Sequence, residues 1–223
     1  MYIASPVAKG RPWSMWQQRE SKRRMTAHLV LRAGVTMLAA ILIISGCASR
    51  PPASTENICS IFEDKPRWYK AAAKSEKKWG TPIHVQMAII RQESNFEAKA
   101  KPPRGKMLGF IPWKRKSSAF GYAQAKDETW DWYRQNTGNR GADRDDFRDA
   151  IDFVGWYTDV SQKRLGISKW DPYSQYLAYH EGHGGFERKT YAQKDWLLAV
   201  ARKVDFTARE WGAQLSVCES DLD

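Results

Sequence analysis

No apolar run in this 223-residue chain is long enough to make a comfortable bilayer crossing. A helical span needs about 20 apolar residues, whereas the best stretch, Val35 to Ile44, has Arg32 close upstream and gives way at once to Ser45-Gly46. A permanent span is therefore the weaker reading. Sustained alternation of apolar and polar residues is also missing, which excludes a sheet-based fold, and no internal repeat is evident. Histidine is scarce, at four residues. The closest pair lies in His180-Glu181-Gly182-His183, which lacks the His-Glu-x-x-His spacing of zinc enzymes and runs into glycines that break a helix, so no metal and no other cofactor is expected. Acid is the rarer charge: 36 Lys and Arg face 25 Asp and Glu, for a formal +11. Residues 1–46 hold +6 of this and leave +5 for the remainder. That modest excess suits a polyanionic wall or membrane surface. It is too small to argue for nucleic acid, and no motif for nucleic acid is present.

Cysteine is scarce as well, with three in all. Lys22, Arg23 and Arg24 precede the apolar run, and small residues follow it, which is the charge, apolar core and cleavage order of an export signal. Ile44-Ser45-Gly46-Cys47 resembles the lipobox of bacterial lipoproteins, which implies that Cys47 is lipidated and becomes the mature N-terminus. Met25 is an alternative start, which would make residues 1–24 an extension. The expected organisation is a signal peptide over 1–46, a lipidated tether over 47–58 containing Pro51 and Pro52, and one folded domain over 59–223. Export places that domain in the periplasm. Ala48 and Ser49 lack the Asp associated with inner-membrane retention, which favours the inner leaflet of the outer membrane. The oxidising compartment favours a Cys59–Cys218 bridge over two free thiols.

Within the domain the periodicity is helical. A helix is expected from Pro66 to Trp79, stopped by Gly80. Another should begin at Thr81-Pro82, with Thr81 as N-cap, and run to Ser94. Asp127 is read as the cap of a helix through Trp130 and Tyr133, Asp143 as the cap of one through Phe147 and Val154 ending at Gly166, and Asp171-Pro172 as the start of one stopped at Gly182. A last helix spans Trp196 to Leu215. Residues 101–118, rich in Pro, Gly and cations, read as a long loop with at most a small hairpin. The fold class is all-α.

Glu93 draws attention because it follows Ile89 and Ile90 on the apolar side of its helix, where a carboxylate is expensive without a partner or a purpose. Burial raises a carboxyl pKa and keeps the group protonated near neutral pH, as a general acid for glycosidic cleavage requires. Three segments occur in order: Glu93-Ser94, Gly121-Tyr122-Ala123-Gln124, and Ala178-Tyr179-His180 followed by glycines. Together they resemble the SLT-type lytic transglycosylases, relatives of goose-type lysozyme, which carry Glu-Ser, Gly-Leu-Met-Gln and Ala-Tyr-Asn. Tyr122 and Ala123 in place of Leu-Met, and His180 in place of Asn, depart from that pattern, as does a longer stretch between the first two segments.

The resemblance implies a lysozyme-like helical domain with a saccharide cleft that cleaves the MurNAc-GlcNAc bond of peptidoglycan glycan strands, leaves 1,6-anhydro-MurNAc ends and serves wall remodelling. It implies Glu93 as the one catalytic acid and base, with Ser94, Gln124, Tyr122, Tyr179 and His180 contacting substrate and the Tyr179 hydroxyl orienting Glu93. Recruitment by a wall-spanning or division machine is a further expectation. Two alternatives compete. One is a lysozyme-type hydrolase using a second carboxylate from among Glu97, Asp127, Asp171 and Glu181; the other is a non-catalytic wall-binding lipoprotein. Trp113 is a candidate saccharide platform, and Lys101, Arg104, Lys106, Lys114, Arg115 and Lys116 are candidates for meeting peptide-stem carboxylates.

Overall fold

A computed structural model describes residues 50–107, 111–115 and 117–222. The export segment and Cys47 lie outside the described residues, as do the side chains of Lys106, Trp113, Lys114, Arg115 and Lys116. The chain from Ser49 onward is one compact unit. It is an all-α domain. Its helices are α1 (Ile58–Asp64), α2 (Pro66–Trp79), α3 (Ile83–Ser94), α4 (Asp127–Thr137), α5 (Phe147–Leu165), α6 (Pro172–Glu181), α7 (His183–Glu187) and α8 (Asp195–Cys218). Two short strands, β1 (Arg104–Met107) and β2 (Ile111–Arg115), pair antiparallel within the basic segment. Among the described residues no helix is long and apolar enough to cross a membrane.

α3 is the central element because it is apolar on nearly every side. Ile83, Val85, Met87, Ala88, Ile89 and Ile90 are all buried. It packs between α5 and α8, while α2 packs on α5 and α6 packs on α8. Its buried polar residue, Gln86, is satisfied: Nε2 donates to Thr81 O at 2.6 Å and Oε1 accepts from Ser75 Oγ at 2.7 Å. A buried amide left without such partners would be strongly destabilising.

Three helix starts differ from the sequence reading. Asp127 does not cap α4; it is the first helical residue, in the acidic first turn, and Lys126 holds the cap position without a side-chain hydrogen bond. Thr81 does not cap α3; its hydroxyl is buried against Thr158 Oγ1 at 2.7 Å, and Pro82 occupies the cap position. α5 is capped by Asp146 rather than Asp143, accepting from Arg148 N at 2.8 Å and Asp149 N at 3.3 Å. Asp143 N instead donates to Asp149 Oδ2 at 3.0 Å. Asp171 caps α6 by accepting from Ser174 N at 3.1 Å, with Pro172 at the first helical position.

The two ends of the domain meet. Cys59 and Cys218 are bonded across a separation of 159 residues, and Ile58 N donates to Gln214 Oε1 at 2.9 Å. Closing so long a loop restricts the unfolded chain and contributes about 2–5 kcal/mol.

Candidate active site

A cavity of about 650 Å³ opens beside the C-terminal end of α3. Ala88, Arg91, Gln92, Glu93 and Ser94 form its floor, residues 97 and 100–103 with Gln124 form one wall, and Lys203, Val204 and Thr207 of α8 form another. Thr55 and Glu56, from the segment preceding α1, complete it. Their place is fixed by Arg91, which pairs with the Glu56 carboxylate and lies 5.3 Å from the Trp211 ring, and by Trp211 Nε1, which donates to Glu56 O at 3.2 Å.

The end of α3 is closed by two consecutive non-glycine residues in the left-handed region, Asn95 (φ 49°) and Phe96 (φ 64°). Such backbone persists only where packing over-determines it. Here the Phe96 ring is fully buried, with Trp68 at 5.6 Å and Trp211 at 6.2 Å. The sharp exit fixes where Glu93 and Ser94 face.

Glu93 is partly buried at the cavity floor. Burial pushes its carboxyl up to about 7, while the Tyr176 hydroxyl, donating to it, pulls the other way. Among the described residues no cation is paired with it. Tyr176 in turn is held above its ordinary value by burial and by the Glu93 charge, so it stays a neutral donor. The carboxyl therefore changes protonation near neutral pH, as a group that must give and retake a proton should. Tyr176→Phe removes a hydrogen bond that favours the ionised form. The alkaline limb of any activity that needs protonated Glu93 should move to higher pH, with the rate at the optimum reduced several-fold. A pH–rate profile of the variant checks this, and an unmoved limb would refute the assignment.

The three sequence segments converge here, but not all in the roles expected. Ser94 lines the cavity, its Oγ donating to Ile90 O at 3.3 Å. Gln124 also lines it; both of its amide hydrogens are engaged, by Ala100 O at 2.9 Å and Gly121 O at 2.8 Å, which leaves Oε1 as the polar atom it can offer. Tyr122 is a correction. It is fully buried, edge-on to Trp68 and Phe147 at 5.6 and 5.5 Å, so it supports the core and cannot touch a ligand. Tyr179 is a second. Its hydroxyl donates to Ala123 O at 2.6 Å and so ties α6 to the Gln124 loop from behind, while the orienting hydroxyl is that of Tyr176. The two tyrosines are three apart on one helix face, a spacing visible in the sequence that would have named both. His180 is a third. One residue further round α6, it is exposed outside the cavity, beside Glu181 (Nδ1 to Oε1 3.1 Å) and the Trp196 ring at 5.3 Å.

Of the four candidate second carboxylates only Glu97 lines the cavity. Asp127 pairs with Arg144 at 2.8 Å and Asp171 caps α6. Glu181 pairs with Lys194 at 2.8 Å and is held down to about 2, the ion pair and hydrogen bonds outweighing burial. His183 is buried, with Nε2 3.0 Å from Ser161 Oγ and its ring stacked on Tyr157 at 4.3 Å, so it does not share surroundings with His180. Among the described residues no group of three side chains is placed to hold a metal. Lys203, Val204, Thr207, Thr55 and Glu56 carry no local signal; only the tertiary packing brings them to the cavity.

A family model described as a transglycosylase SLT domain matches residues 35–218. Neither the curated proteins nor the solved structures give a match.

Proposed function

The chain belongs to the transglycosylase SLT domain family, whose activity is lytic transglycosylation of peptidoglycan, and from that premise we propose that Glu93 cleaves the MurNAc-GlcNAc bond with formation of 1,6-anhydro-MurNAc ends. The observation that carries this reading is a carboxyl at a cavity floor, raised to about 7 by burial and facing a tyrosine donor. Protonated Glu93 gives its proton to the bridging oxygen as the bond to the muramic anomeric carbon breaks. The muramic 6-hydroxyl then attacks that carbon and returns its proton to Glu93. The new bond replaces the broken one, the carboxyl is regenerated and no water is consumed. The substrate's acetamido group supports the positive charge meanwhile. Ser94 and Gln124 hold polar groups of the sugar, and Tyr176 positions the carboxyl.

The same premise carries the setting. We read Cys47 as the lipid anchor and the compartment as the periplasm, with the outer membrane's inner leaflet favoured, the role as wall remodelling, and recruitment as the task of a wall-spanning or division machine.

One observation favours a second reading: Glu97 lines the same cavity as Glu93 and is a candidate base for activating water, as in a lysozyme-type hydrolase. Mass spectrometry of digested peptidoglycan separates the two. Anhydro ends, one water lighter than reducing ends, are expected; reducing ends alone would overturn the lyase reading in favour of the hydrolase.

A further inference from the structure

Lys101 and Lys203 both line the cavity that holds Glu93, and both are exposed. They come from different walls, Lys101 from the segment after α3 and Lys203 from α8. Among the described residues neither reaches a carboxylate. Lys101 Nζ lies 5.1 Å from the Phe120 ring, which steadies the side chain without neutralising it. The third cation of the cavity, Arg91, differs because Glu56 already answers it. Glu97 is the remaining acid on the lining besides Glu93. A neutral sugar chain offers no partner for two ammonium groups beside the bond to be cut, and lysines left unanswered in a cleft concentrate anions there.

We propose that Lys101 and Lys203 recognise carboxylates hung on the muramic acid residue next to the scissile bond, so that the cleft selects an anionic glycan over a neutral one of the same backbone. The inference rests on the glycan-cleaving reading above. Those carboxylates have two sources, the peptide stem and, where the stem has been removed, the lactyl group it leaves.

The test uses the full-length chain in detergent, carrying Glu93→Gln so that ligand is not consumed, and measures binding calorimetrically to three soluble glycan fragments of equal length. One retains its peptide stems, one has had them removed by an amidase, and one retains stems whose carboxylates are chemically amidated. The stem-bearing fragment should bind about fivefold more tightly than the amidated one at low salt, the scale of two exposed ion pairs, and the preference should shrink as salt is added. In Lys101→Met/Lys203→Met the preference should fall to near one, and in the double Arg variant it should persist. Tight binding of the amidase-treated fragment assigns the contact to the lactyl carboxylate, and weak binding assigns it to the stem. Equal affinity for all three fragments, or a preference for a carboxylate-bearing fragment untouched by the Met substitutions, overturns the proposal. Failure of every fragment to bind would instead remove the glycan reading, and this inference with it.

Discussion

Glu93→Gln should release soluble fragments from purified sacculi at least about 10²- to 10⁴-fold more slowly than the parent, the range that a positioned general acid–base contributes. The amide matches the carboxyl in shape but has no proton to give. Chromatography of the released fragments measures the rate, and circular dichroism should show an unchanged helical spectrum. The substitution has a second consequence that a surface glutamate would not produce. Glu93 titrates near 7 in the folded protein against 4.5 for a free side chain. Between those values the folded state binds the extra proton, so parental stability falls as pH rises through that window. The amide of Glu93→Gln does not ionise, so the variant's melting temperature should gain on the parent's from pH 4.5 towards 7. Full activity in the variant, or melting curves that stay parallel across that window, would show that the carboxyl is neither the proton donor nor buried.

Gly121→Ala is expected to be the most damaging small substitution in the domain. Gly121 has φ +79°, and a Cβ there would stand 2.0 Å from Arg144 O. That carbonyl accepts from Tyr122 N at 3.1 Å, and Arg144 itself pairs with Asp127 and donates to Ser118 O and Ala125 O. The clash therefore cannot be relieved by turning one flexible side chain. A left-handed alanine costs about 1–2 kcal/mol, and overpacking adds about 1–3 kcal/mol. The melting temperature should fall by on the order of 10 °C. Gln124 is held by Gly121 O and Ala100 O, so glycan affinity should fall with it. Gly138→Ala is the control. It shares the left-handed conformation (φ +71°) but meets no atom within 4 Å, so only the backbone cost of about 1–2 kcal/mol should appear. Thermal melts of the two variants side by side decide it; equal losses would mean that the Arg144 contact is not what requires glycine.

That glycine also illustrates what could be read from the chain and what could not. Local chemistry announced itself. Asp171-Pro172 started α6, the apolar run from Ile83 to Ile90 marked the central helix, and Glu93 stood out as a carboxyl on an oily face. Predictions failed where one polar group had several suitors. Thr81 looked like a cap but met Thr158 across the core, and in a run holding Asp143, Asp145 and Asp146 only the fold decides which aspartate turns towards the helix start. Within the site, matching motif positions named Tyr179 and Tyr122 for the cleft, yet one hydroxyl went to Ala123 O and the other ring into the core. The tyrosine that faces Glu93 lay one turn earlier on the same helix. The α8 wall was invisible because nothing local to Lys203 or Thr207 records a partner more than a hundred residues away.

Thr55 and Glu56 give the tether a second meaning. Thr55 stands only eight positions after Cys47, and a fully drawn-out chain spans at most about 3.6 Å per residue, so the leash is no longer than roughly 29 Å. With Cys47 lipidated as proposed, the cutting edge patrols a thin shell of wall just above the bilayer. A pull on that proposed anchor would reach the cavity through Thr55 and Glu56, which line its edge, not through a remote tail.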